Sequence, residues 1–133
     1  MSSETAIVYG ASGFLGSHVA DALSAAGYRV RLFDRCPSPY RRRDQEMIIG
    51  DVMDPAQVTE AAKGADVVYN FAAIADIDEA HDKPLATCTI NVLGNMHVLE
   101  AARHAGARRF VFSSSIYVYS ESGSFYRASM QAA

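Results

Sequence analysis

The stretch Gly10-Ala11-Ser12-Gly13-Phe14-Leu15-Gly16 constrains this chain more than any other. A short apolar run, Ala6-Ile7-Val8-Tyr9, precedes it and a helical pattern follows. A strand, a glycine-rich turn and a helix in that order present backbone N–H groups to a phosphate at the helix N-terminus. Each glycine has its own reason to be there: Gly10 permits the tight turn, Gly13 lets a pyrophosphate approach the backbone, and Gly16 lets the helix lie close to the sheet. The spacing is G-x-x-G-x-x-G rather than the commoner G-x-G-x-x-G, so its position at the first βα turn carries more weight than the triplet itself.

The remaining pattern alternates strands with helices. Ile7-Val8-Tyr9 reads as a strand buried on both faces. The helix after the glycines places Phe14, Leu15, His18, Val19, Ala22, Leu23 and Ala26 along one stripe and stops at Gly27. Arg29-Val30-Arg31-Leu32-Phe33 reads as the second strand, with Asp34 at its end; the polar segment Arg35 to Asp44, with Pro37 and Pro39, reads as a loop. Met47-Ile48-Ile49 is a short third strand ending at Gly50-Asp51. Asp54, Pro55 and Gln57 suit the N-cap, first position and capping box of a helix that ends near Lys63-Gly64. Ala65 to Asn70 is the fourth strand, and Phe71 to Asp82 a loop with at most a short helical turn.

Pro84 opens the longest helix, to about His104. Leu85, Thr89, Val92, Met96 and Leu99 form one stripe on it, and Ile90, Leu93, His97 and Ala101 a second. Two arrangements satisfy this pattern: one wide face on the sheet, or one face on the sheet and one on a second copy of the chain, a homodimer. Gly106 ends the helix, Arg109-Phe110-Val111-Phe112 is the fifth strand, and a last helix begins at Phe125. The order implies an α/β fold: a Rossmann-type, doubly wound parallel sheet with strands in the order 3-2-1-4-5, before any sixth strand or substrate domain. Residues 1–133 are read as one partial dinucleotide-binding domain, with its last helix cut short.

Composition removes other classes. Half of the residues are hydrophobic, enough for one packed core. A formal net charge of −3 argues against a nucleic-acid partner. No run approaches the roughly 18 apolar residues of a membrane span, and Met1-Ser2-Ser3-Glu4-Thr5 lacks the pattern of a leader. Cys36 and Cys88, and the four histidines, have no metal-ligand spacing. Two reduced thiols in a cytoplasmic protein, with no metal, is the reading.

Asp34 narrows the ligand. An acidic residue ending the second strand, about 20 residues past the glycines, accepts hydrogen bonds from the adenosine ribose hydroxyls. It would repel a 2′-phosphate, which favours NAD over NADP. Arg35 and the run Arg41-Arg42-Arg43 pull the other way, because an arginine can hold that phosphate.

At this point the chain resembles the extended short-chain dehydrogenase/reductases, the NAD-dependent nucleotide-sugar epimerase/dehydratase group. Six segments carry the resemblance in family order: the glycine turn; Gly50-Asp51-Val52; Asn70-Phe71-Ala72-Ala73; Asn91-Val92-Leu93-Gly94; Phe112-Ser113-Ser114-Ser115-Ile116-Tyr117-Val118-Tyr119; and Tyr126-Arg127-Ala128-Ser129-Met130. It implies cofactor contacts from Gly10, Ser12, Gly13, Phe14, Leu15 and Gly16 in the turn, and from Asp34 and Arg35 at the ribose. Asp51 and Val52 would meet the adenine, with Phe71, Ala72, Ala73 and Ser113 lying along the rest. Ser115 would orient the substrate hydroxyl and Tyr126 would serve as acid/base in hydride transfer at a sugar carbon.

Two departures qualify that implication. The family pattern is Tyr-x-x-x-Lys, and the lysine position here is Met130. A free phenol has a pKa near 10; a lysine one helical turn away favours the tyrosinate, and in relatives it also holds the nicotinamide ribose. A thioether does neither. Arg127 follows Tyr126 directly, about 100° around the helix, and faces elsewhere. Relatives also continue into a substrate domain. The expectation is therefore an NAD-binding domain of an oxidoreductase, catalytically impaired as written. The rivals are a non-catalytic dinucleotide-binding or regulatory module, and a structural fold fragment.

Overall fold

The computed structural model describes residues 4–133. Met1, Ser2 and Ser3, read above as no part of a leader, lie outside the described residues. The strands are β1 (Thr5–Tyr9), β2 (Arg29–Asp34), β3 (Gln45–Ile49), β4 (Val67–Asn70) and β5 (Arg109–Phe112). The helices are α1 (Phe14–Ala25), α2 (Pro55–Ala62), α3 (Ile77–Asp82), α4 (Pro84–Cys88), α5 (Asn95–Ala105) and α6 (Ser124–Ala132). The five strands form one sheet in the order β3-β2-β1-β4-β5, all neighbours parallel, as the sequence predicts.

Register aligns the carboxyl ends. Tyr9 lies opposite both Phe33 and Asn70, Asp34 opposite Ile49, and Asn70 opposite Phe112. The residues that follow these ends therefore collect along one rim of the sheet. Alternation along β1 divides the core. Ile7 and Tyr9 face α2 and α5 with Phe33, Val58, Val68 and Val98; Ala6 and Val8 face α1 with Ala20, Leu23, Val30 and Leu32. Tyr9, fully buried, donates its phenol to the Val58 carbonyl at 2.7 Å. A third, smaller cluster of Ala80, Tyr126 and Met130 joins α3 to α6.

Three sequence expectations need correction. In α1 the face on the sheet is Gly16, Ala20 and Leu23, with Val19 partly buried; Phe14, Leu15, His18, Ala22 and Ala26 are exposed. Small residues, not large apolar ones, let this helix approach the sheet. At α2, Asp54 caps the N–H groups of Ala56 and Gln57, but the Gln57 side chain accepts from the Asp51 N–H instead of closing a capping box.

The third correction concerns the long helix, which is interrupted. Thr89–Gly94 forms a π-helical segment between α4 and α5. Its buried face is Thr87, Asn91, Gly94, Asn95, Val98, Ala101 and Ala102. Leu85, Leu93, Met96 and Leu99 are exposed, so the apolar stripes are not one face on the sheet.

Candidate functional site

The glycine turn is built as its spacing requires. Gly10 has φ +75, and a Cβ there would lie 2.5 Å from the Ala72 nitrogen, so the turn sits directly on the segment after β4. A Cβ on Gly16 would lie 2.2 Å from the Gly10 carbonyl oxygen. On Gly13 it would meet only that oxygen, at 3.5 Å, and otherwise open space. Gly13 is also the N-cap of α1, with no side chain to accept from the first turn, and that turn carries no acid. By contrast, α2 and α3 begin under the carboxylates of Asp54 and Asp76. The first-turn N–H groups of α1 are thus left for an acceptor from outside the chain.

Beside the turn, a cavity of about 360 Å³ opens along the carboxyl rim. Gly10, Gly13, Asp34, Arg35, Asp51, Val52, Phe71, Ala72 and Ala73 line it, bringing together most of the cofactor residues expected from sequence. Asp34 is fixed by the turn it faces: Oδ2 accepts the Ser12 N–H at 2.9 Å and Oδ1 the Arg35 N–H at 2.7 Å. Each oxygen keeps a further lone pair for a ligand hydroxyl. The Ser12 hydroxyl donates to the Cys36 carbonyl at 2.7 Å, tying the turn to the chain after β2. Asp51 is held likewise, its Oδ1 accepting from the Met53 N–H at 2.9 Å.

Ser12, Phe14, Leu15, Gly16 and Ser113 do not line the cavity. Sequence reasoning in turn missed Phe33, Gly50, Ile74, Ala75, Glu79 and Ile90, which do. Gly50 was the available signal: a Cβ there would lie 2.5 Å from the Phe33 ring, so this glycine keeps that wall of the cavity thin. Glu79 offers none, because the sequence reads Phe71 to Asp82 as a loop with at most a short helical turn, where α3 in fact forms.

The second group of expected residues lies apart from this cavity. Ser115 caps the 3-10 turn Ile116–Tyr119, its Oγ accepting from the Tyr117 N–H at 3.2 Å. Tyr126 is buried, edge-on to Tyr117 with ring centroids 5.9 Å apart, and packs with Met130 and Ala80. Met130, in the lysine position, is an apolar packing residue. Among the described residues no group of metal-binding side chains occurs, no helix is long and apolar enough to cross a membrane, and Cys36 and Cys88 are free thiols.

A parallel sheet whose strand order reverses between β1 and β4, with an uncapped glycine turn and a carboxylate at that crevice, defines the doubly wound nucleotide-binding class. The model of the NAD dependent epimerase/dehydratase family matches residues 6–131, and the chain belongs to that family. It is 34% identical over 123 residues to a UDP-glucose 4-epimerase of Rhizobium leguminosarum bv. trifolii, covering 90% of this chain and 38% of that protein. It is 32% identical over 114 residues to a 3-beta-hydroxysteroid dehydrogenase of Mycolicibacterium neoaurum, covering 82% of this chain and 31% of that one. The solved structure of MoeE5 in complex with UDP-glucose and NAD superposes with a TM-score of 0.86 at 27% identity, over 96% of this chain and 46% of the other. The chain thus spans about two fifths or less of these two curated relatives and just under half of that structure.

Proposed function

We propose that residues 1–133 are the dinucleotide-binding part of an NAD-dependent oxidoreductase whose substrate is a nucleotide sugar. The observation that carries this reading is the uncapped first turn of α1 opening, through Gly13, on the same cavity as the Asp34 carboxylate. The turn would hold the pyrophosphate by its N–H groups, and Asp34 the adenosine ribose. Asp51 and Val52 would meet the adenine, with Phe71, Ala72 and Ala73 along the far wall. When bound, the nicotinamide supplies or accepts a hydride; Ser115 would orient the substrate hydroxyl and Tyr126 would move its proton. NAD is the preferred form, because Asp34 opposes a 2′-phosphate more directly than Arg35 attracts one.

A second reading, a dinucleotide-binding module without turnover, is supported by Met130. Its thioether neither donates to a ribose nor favours a phenolate. Similarity to both a sugar epimerase and a steroid dehydrogenase fits a shared cofactor half, with substrate choice made elsewhere. The exposed stripe of Leu85, Leu93, Met96 and Leu99 supports pairing of two copies, and the two free thiols fit a reducing cytoplasm. Thermal melts with NAD, NADP and no ligand test the cofactor reading. NAD should raise the midpoint more than NADP, and no shift with either would remove it. Steady-state assay with UDP-glucose then separates the two readings, since turnover by the chain eliminates the module.

A further inference from the structure

The π-helical segment does something that neither the cavity nor the expected catalytic residues account for. Thr87, Asn91 and Asn95 are all buried, at 0%, 2% and 3% exposure. Spaced four residues apart, the three lie on the buried side of α4, the π-helical segment and α5. Two of them are carboxamides with fixed tasks. Asn91 clamps the backbone of Ile74: its Oδ1 accepts the Ile74 N–H at 2.8 Å and its Nδ2 donates to the Ile74 carbonyl at 3.0 Å. The same Nδ2 donates to the Ser129 hydroxyl at 2.9 Å, and that hydroxyl donates to the Tyr126 carbonyl at 2.8 Å. Asn95 accepts from Asn70 Nδ2 at 2.8 Å, and Asn70 Oδ1 accepts the Ala72 N–H at 3.1 Å.

Ile74 is where this network meets the ligand site. It lines the cavity, and its side chain also packs against the cluster of Ala80, Tyr126 and Met130. A directed chain of hydrogen bonds, part-buried at Ile74 and buried from Asn91 onward, therefore runs from the cavity wall, through Asn91 and Ser129, to the backbone of the residue expected to move the proton. In a buried setting such bonds are hard to break singly, because a lost partner leaves a desolvated group unpaired. We propose that Asn91 is a positioning residue that, with Ser129, transmits occupancy of the dinucleotide cavity to the helix carrying Tyr126. The proposal rests on the dinucleotide reading above. It adds that α6 answers the cofactor through this bond chain rather than through general stiffening of the core.

The test is an NAD titration of the full chain followed by amide NMR. Ile74 reports the clamp and Arg127, whose N–H follows the Tyr126 carbonyl, reports α6. In the unmodified chain both amides should shift with one saturation curve. Ser129→Ala cuts the second link and leaves the Ile74 clamp in place. There NAD should still move Ile74, while the Arg127 shift is lost. Asn91→Asp keeps the acceptor for Ile74 and removes both donors; it should also silence Arg127, and it provides a second variant should either one unfold. An Arg127 response as large in Ser129→Ala as in the unmodified chain overturns the proposal. So does a response at Ile74 with none at Arg127 before any substitution. If NAD moves no amide along the cavity, including Asp34 and Ile74, the dinucleotide reading itself fails.

Discussion

At the scale of the residue, Asp34 and Tyr9 show two ways a single side chain can be committed. Asp34 is oriented by two backbone N–H groups and presents its remaining lone pairs to the cavity. Asp34→Ala should weaken NAD binding at least about tenfold, the loss of a charge-assisted hydrogen bond or two, while leaving NADP affinity level or improved. Paired calorimetric titrations decide it: an equal loss for both cofactors would mean that the carboxylate only braces the turn. Tyr9 has no ligand role. Its buried phenol is pushed well above the ordinary tyrosine range by desolvation, so the fold holds it neutral. That preference stabilises the fold fully below the unfolded value near 10 and is lost as pH rises beyond it, by up to about 1.4 kcal/mol per pH unit. Tyr9→Phe should cost about 1–2 kcal/mol at neutral pH, the desolvated Val58 carbonyl losing a partner, and should flatten the alkaline fall. Urea melts of both chains from neutral pH to above 10 measure each effect.

Elements show what a sequence reveals and what it hides. The glycine turn was legible because Gly10, Gly13 and Gly16 answer backbone geometry, which spacing records directly. Gly16→Ala should destabilise by more than about 2 kcal/mol, since the added carbon meets a backbone oxygen that has no rotamer in which to escape. A melt indistinguishable from that of the unmodified chain would show that α1 is free to slide. Apolar periodicity misplaces the packed face of the helix after Pro84, which is built of asparagines and small residues around Val98. Polar side chains that satisfy one another inside a fold look, in sequence, like a solvent face. α1 misled in part for a related reason, its buried stripe being Gly16 and Ala20 with Leu23 as the one large residue. Leu85 and Met96, left outside, should tolerate charge. Leu85→Lys with Met96→Glu should leave the melting midpoint within a few degrees and convert any dimer seen by sizing into monomer.

Over the whole molecule, the two large core clusters and the small one divide the chain by stability. β1, β2 and β4 are enclosed between α1 on one face and α2 with α5 on the other. β5 is an edge strand whose Phe110, Val111 and Phe112 are only half-buried, and α6 is held by Ala80, Tyr126, Met130 and the Asn91–Ser129 bond. The dinucleotide cavity belongs to the first part and Tyr126 to the second. This is also why the lining of the cavity could be read from sequence and the surroundings of Ser115 and Tyr126 could not. Gly10, Asp34 and Asp51 are placed by a sheet whose order follows from strand alternation, while Ser115 and Tyr126 depend on packing among α3, α4 and α6 that no local pattern encodes. Local opening should follow the same division, because opening free energy tracks buried apolar contact. Native-state hydrogen exchange should find the slowest amides in β1 and β4, with α6 and the segment 113–123 opening well below the global limit. Met130→Ala sharpens the test. Truncating a buried methionine costs about 2–5 kcal/mol wherever its cluster is lost. If α6 opens separately, that cost speeds exchange in α6 and α3 and leaves β1 amides almost unchanged. Equal acceleration in β1 and α6 would show one cooperative unit, and would place the helix carrying Tyr126 on the same footing as the cofactor core.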